Sequence, residues 1–228
     1  MNPAPKVWKV MPLGDSNTRG KAGHSYRASL KKLLKADGIL IDFTGTSISV
    51  AGPHGPGHDI DTPYTQAQID ALESDLEHDG WGGYRIDQIN EHAPALIAAC
   101  APEILLLMIG SNDIDQNYDL AVAPRRFETL CATIIKNAPD SYLYIATIPP
   151  CIKNKNDPVR VSEFNDEILK VVKSLQKKHK GIFQADVYGA LSTDDLLADG
   201  IHLNAQGFEK IGKAWHNAIV NSSILKKT

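Results

Sequence analysis

Apolar residues along the chain fall into two alternating patterns. Short, nearly continuous runs read as five strands: KVWKVMPL (6–13), ILIDFTG (39–45), EILLLMIG (103–110), SYLYIATIPP (141–150) and IFQADVYGAL (182–191). EILLLMIG has no polar alternation, as a central parallel strand covered on both faces requires. Between these runs the apolar spacing is helical. SYRASLKKLLKADG (25–38) carries Leu30, Leu33 and Leu34 on one face and stops at Gly38. Further helices are predicted over 84–100, with Pro94 kinking or splitting it, over 119–139, starting or kinking near Pro124, over 160–181, ending in lysines and Gly181, and over 204–224. Strands separated by helices imply right-handed crossovers. The predicted fold class is therefore α/β: a three-layer α/β/α sandwich around a five-stranded parallel sheet. With no internal repeat and no linker, the expectation is one domain over 1–228. The exception to the alternation is a tract rich in Gly, Pro, His and Asp (49–82), with a short helix predicted within 65–80. It is longer than a compact domain usually leaves irregular, which marks it as a functional loop.

In parallel sheets of this kind, sites form where loops leave the carboxyl ends of the strands. Four polar segments occupy such positions: PLGDSNTRG (12–20) after the first strand, HDGWGGYRIDQI (78–89) after the second strand and the irregular tract, GSND (110–113) after the third, and LLADGIHLNAQG (196–207) after the fifth. Each has an ordinary structural reading. Ser16 and Asn112 can cap helices, Asp199 and His202 can shape a loop, and Gly80, Gly82 and Gly83 can turn the chain. Their convergence on one edge of the sheet favours chemistry. A serine hydroxyl becomes a nucleophile when a base takes its proton, and the imidazole of His202 suits that task. Asp199, three residues earlier, can hold the second ring nitrogen in one tautomer. The backbone N–H groups of Ser16 and Gly83 and the side-chain amide of Asn112 can stabilise an oxyanion. Asp15 and Asn17 shape the turn around the serine. Asp15, Trp81 and Tyr84 are the candidate substrate contacts, the two aromatics either stacking on substrate or packing beneath their loop.

Composition narrows the partners. With 228 residues, 43% hydrophobic, 22% charged and a net charge of −3, the chain reads as globular, with no electrostatic reason to bind nucleic acid. No apolar run is long enough to cross a bilayer, and the first residues lack the pattern of a secretory signal, so no membrane partner is expected and the location stays open. Three scattered cysteines (Cys100, Cys131, Cys151) read as buried small hydrophobes rather than as a disulfide framework or metal site. His54, His58, Asp59 and Asp61 lie in the irregular tract without supporting ligand spacing, so no metal and no cofactor are expected. The lysines at 31–35 and 172–180 read as solvated helix faces. The G-x-S-x-G elbow is absent, because Thr18 stands where its second glycine would be, and neither a phosphate-binding loop nor an H-E-x-x-H helix is found.

PLGDSNTRG, GWGGYRIDQI, GSND and DGIHLNAQG resemble, in order, the four sequence blocks of the SGNH (GDSL-type) hydrolase superfamily, its Ser, Gly, Asn and His falling on Ser16, Gly83, Asn112 and His202. The resemblance implies a flavodoxin-like sheet, metal-free serine esterase chemistry, a triad completed by Asp199 and oxyanion donors from Ser16, Gly83 and Asn112. A finer resemblance is to carbohydrate esterase family 3, the acetylxylan-esterase-like branch. Its second block is similar to HDGWGGYRIDQI, and its helix after the serine opens with a pair like Tyr26-Arg27. The departures are Asp79 for Glu, Asn17 for an aliphatic residue, and the insertion-like segment 46–77. The leading expectation is a serine esterase removing short acyl groups, acetyl foremost, from a small-molecule or carbohydrate ester such as acetylated xylan. The alternatives are a broad carboxylesterase or lysophospholipase-type hydrolase, and a catalytically silent carbohydrate-binding module on the same fold.

Overall fold

The computed structural model describes residues 5–48 and 64–225. The strands of the sheet are β1 (Val7–Gly14), β2 (Leu40–Phe43), β3 (Asp79–Gly80), β4 (Ile104–Met108), β5 (Tyr142–Ala146) and β6 (Ile182–Ala185). Their order is β2-β1-β4-β5-β6, with the short β3 attached to β1. Every pairing is parallel. β4 shows why its run is unbroken. Leu105 and Leu107 enter a core with α4 (Ile86–Cys100), α6 (Ala123–Asn137) and α7 (Asp157–Gln176), whereas Ile104, Leu106 and Met108 enter a second core with α2 (Tyr26–Ala36), α3 (Gln66–Leu72) and α8 (Ala205–Ser222). The two cores are the interfaces between the sheet and the two helical layers of a three-layer sandwich, as the pattern predicts.

Three details depart from the sequence reading. The sheet gains a sixth strand, β3, of two residues, paired through Leu13↔Asp79 and Gly14↔Gly80. Pro94 does not split its helix, because α4 runs unbroken through it. Ile86, Ile89 and Ala93 on one side of the proline and Leu96 and Ile97 on the other are all buried in the same core. Burying such side chains at about 1.5–3 kcal/mol each outweighs the ~3 kcal/mol that an interior proline costs. Third, α7 begins at Asp157 and stops at Gln176, short of the predicted lysine-rich end. The start near Pro124 is as expected, with the proline in the first turn of α6.

The strand order reverses between β1 and β4. Two one-turn helices follow these strands, α1 (Ser16–Arg19) and α5 (Ser111–Asp115). They flank the crevice in which open α/β sheets bind ligands.

Candidate active site

Asp15 caps α1: its Oδ1 accepts from Asn17 N at 2.9 Å, leaving Ser16 as the first helical residue, whose N–H has no intrahelical partner. The loop before α8 brings His202 to it. Ser16 Oγ lies 2.9 Å from His202 Nε2, and His202 Nδ1 lies 2.7 Å from Asp199 Oδ2. Asp199 Oδ1 accepts from the backbone N–H groups of His202 at 2.9 Å and Ile201 at 3.1 Å. Burial pushes the Asp199 carboxyl up, but these hydrogen bonds and the nearby imidazole together hold it below the usual carboxylate range. An ionised Asp199 only accepts, so Nδ1 carries the proton and Nε2 presents its lone pair to the serine hydroxyl. Burial lowers the His202 pKa most; the hydrogen bond and charge of Asp199 oppose it, while Lys21 and Arg19 add to the lowering. The net shift is downward, which keeps the ring neutral and basic near pH 7.

The segment after β3 forms the facing wall. Trp81 N donates to Gly14 O at 2.8 Å, continuing the β1 pairing toward the serine turn. Gly83 has φ +77°, a conformation open to glycine without strain. The next carbonyls are then clamped from α5 and the residue after it: Gln116 Nε2 donates to Gly83 O at 3.0 Å, and Asn112 Nδ2 donates to Tyr84 O at 2.9 Å. One N–H of the Asn112 amide is occupied in this way, and the amide has a second. Asn17 ties the serine turn to the histidine loop through Nδ2 to Ile201 O at 3.4 Å. The structure thus brings Ser16, Asp199 and His202 into one hydrogen-bonded chain and places Gly83 and Asn112 in a shared network beside it.

The candidate substrate contacts lie differently. Asp15 is buried among Asn17, Ser111 and Asp113, so its carboxyl faces the interior rather than a substrate. Trp81 and Tyr84 are half-buried and pack against α4, with the Trp81 ring 5.0 Å from and nearly parallel to that of His92 and 5.1 Å from that of Tyr84. Both rings keep part of their surface exposed. His54, His58, Asp59 and Asp61 lie outside the described residues. Among the described residues no group of three or more His, Cys, Asp or Glu side chains is placed to hold a metal, and no helix is long and apolar enough to cross a membrane. The three cysteines are buried free thiols.

Burial raises the Asp15 pKa to about 7, the Asp113 charge adding to the rise while hydrogen bonds from Asn17 and Ser111 oppose it. In the unfolded chain the group titrates near 3.8. Between these values the folded protein keeps a proton that the unfolded chain has lost, so Asp15 makes stability fall as pH rises through that window, by about 4 kcal/mol in all. Asp15→Asn retains an oxygen to accept from Asn17 and removes the titration. Its unfolding free energy relative to wild type should therefore climb between about pH 4 and pH 7, and a difference independent of pH in urea titrations would overturn this assignment.

A doubly wound sheet with these four loops at its carboxyl edge is the architecture of SGNH-type carboxylic ester hydrolases. The chain belongs to the GDSL-like lipase/acylhydrolase family, whose profile matches residues 13–210. It is 29% identical over 225 residues to a multidomain esterase of Ruminococcus flavefaciens; the match covers 91% of this chain and 28% of that protein's length. Among solved structures it superposes on a Clostridium thermocellum family 3 carbohydrate esterase with a TM-score of 0.77 at 24% identity, covering 97% of this chain and 100% of that one. A family 3 carbohydrate esterase from Talaromyces cellulolyticus gives 0.74 at 19% identity, covering 94% and 97%. The acetylxylan esterase Axe2 from Geobacillus stearothermophilus gives 0.63 at 17% identity, covering 97% and 96%. At these identities the structural likenesses speak to the fold.

Proposed function

We propose that the protein is a serine esterase that removes short acyl groups, acetyl foremost, from a carbohydrate such as acetylated xylan. The observation that carries the reading is the continuous chain from Ser16 Oγ through the His202 ring to the Asp199 carboxylate, at 2.9 and 2.7 Å. In this mechanism Ser16 Oγ attacks the ester carbonyl carbon as its proton passes to His202 Nε2. The negative charge on the carbonyl oxygen is met by the N–H groups of Ser16 and Gly83 and by the free N–H of Asn112. His202 returns the proton to the departing sugar oxygen, leaving an acyl-serine. Water, deprotonated by the same nitrogen, then attacks the acyl carbon, and the carboxylic acid leaves as Ser16 recovers its proton.

The acyl and acceptor preferences are supported by the names of the structural neighbours, two of them family 3 carbohydrate esterases and one an acetylxylan esterase. The expected result is hydrolysis of p-nitrophenyl acetate, a steep fall in rate through the butyrate to the octanoate, and acetate release from acetylated xylan. Faster turnover of the octanoate would replace this reading with a lipid or general carboxylesterase. No turnover of any ester would leave a carbohydrate-binding module.

A further inference from the structure

The direction of the Gly83 N–H is not set by the residues around it in the chain. Gly80, Gly82 and Gly83 leave the backbone soft, whereas an oxyanion donor works only when its direction is fixed before the charge arrives. Downstream, Gln116 and Asn112 hold the carbonyls of Gly83 and Tyr84 at 3.0 and 2.9 Å. Upstream, Trp81 N is held by Gly14 O at 2.8 Å. Between these anchors the segment lies on Arg19. A Cβ on Gly82 would stand 2.5 Å from Arg19 Nη1 and 2.9 Å from its Cζ, and one on Gly80 would collide with the Arg19 backbone. The space that side chains at 80 and 82 would take is filled by Arg19.

Arg19 is a fixed wall. It is 2% exposed, its N–H donates to Asp15 O at 3.0 Å, and its carbonyl accepts from Arg27 Nη1 at 3.1 Å and from the Tyr64 hydroxyl at 3.0 Å. It is the last residue of α1, so one short helix carries both Ser16 and the surface under the Gly82–Gly83 peptide. A planar guanidinium can lie close against a peptide that has no Cβ, which the compact ammonium of a lysine does not reproduce. We propose that Arg19 is a positioning residue: its guanidinium backs the Gly82–Gly83 peptide and so directs the Gly83 N–H toward the carbonyl oxygen of the ester. The proposal rests on the esterase reading above and names what holds its oxyanion donor in place. The charge of Arg19 also reaches the base. Burial lowers the His202 pKa most, and among the charges around the ring Asp199 raises it while Lys21 and Arg19 lower it.

The test measures kcat, KM and the pH profile for p-nitrophenyl acetate in Arg19→Met, Arg19→Lys and Gly82→Ala. Arg19→Met should lower kcat about tenfold to a hundredfold with KM little changed, the pattern of an interaction made in the transition state. It should also move the acid limb of kcat/KM to higher pH, because one of the cations opposing imidazole protonation is gone. Arg19→Lys keeps the charge and loses the flat group, so it should share the fall in kcat and leave the acid limb at its wild-type position. Gly82→Ala displaces the guanidinium and should lower kcat by a similar factor, and adding it to Arg19→Met should cost no more than Arg19→Met alone. Wild-type kcat in Arg19→Met, or losses that multiply in the double variant, would overturn the proposal. So would a fall in kcat in Arg19→Met with the acid limb unmoved, which would make Arg19 a support for the fold alone. If Arg19→Met does not fold, Gly82→Ala decides, and wild-type kcat in it overturns the proposal. Failure of the esterase reading is separate, because it would show as wild-type protein inert toward p-nitrophenyl acetate.

Discussion

Ser16→Ala is expected to hydrolyse p-nitrophenyl acetate about 10⁴–10⁶ times more slowly than wild type, with His202→Ala in the same range and the double variant no worse than either single one. The non-additivity is the sharp part of the expectation. In the proposed mechanism His202 acts through the proton of Ser16 Oγ, 2.9 Å away, so once the hydroxyl is gone the imidazole has nothing left to activate. Residual turnover would come from the donors around Gly83 and Asn112, which polarise the carbonyl without the nucleophile. The pH profile adds a second check. The proposed mechanism requires neutral His202, and burial together with the charges of Lys21 and Arg19 outweighs Asp199 to lower its pKa from 6.5. The acid limb of kcat/KM should therefore have its midpoint below about 6.5, the ordinary imidazole value, with activity rising as pH increases through it. A Ser16→Ala variant with wild-type rates would remove the serine mechanism outright.

The parts of this site that were legible in the sequence are those fixed by strand ends. EILLLMIG could only be a strand buried on both faces, so the polar residues after it had to emerge at the sheet edge, and Asn112 does. The same logic placed Ser16 after β1 and His202 before α8. What escaped was set by tertiary contacts. β3 consists of two residues, Asp79 and Gly80, too short for any period, and it is a strand only because β1 offers them an edge. Trp81 and Tyr84 carry the same local signal whether they face a sugar or His92, and only the position of α4 decides. The pair Tyr26-Arg27 carries a family similarity, yet nothing in its spacing says that the arginine is buried.

That arginine should be the largest single contributor to stability around the serine. Arg27 is fully buried, and its hydrogen bonds go to neutral oxygens: Nη1 donates to Thr18 O at 2.7 Å and Arg19 O at 3.1 Å, and Nη2 donates to the Tyr64 hydroxyl, which itself donates to Arg19 O at 3.0 Å. Thr18 and Arg19 end α1, so these are the carbonyls that a helix terminus leaves without partners, and the one-turn helix that begins with Ser16 is closed at its far end by the guanidinium. Two effects oppose each other in Arg27→Met. Methionine spares the protein the desolvation of a buried cation, but both carbonyls remain, and Thr18 O then loses its charged donor in a site closed to water. Removing one partner while leaving the other buried is the costly case, so Arg27→Met should lose about 2–4 kcal/mol in urea unfolding. Arg27→Lys, able to bring an ammonium but not the planar fork, should recover part of that loss. Because α1 carries Ser16, the proposed nucleophile, kcat for p-nitrophenyl acetate should fall in Arg27→Met while KM changes little. A variant as stable and as fast as wild type would mean that packing alone, and not this cation, holds the turn on which Ser16 sits.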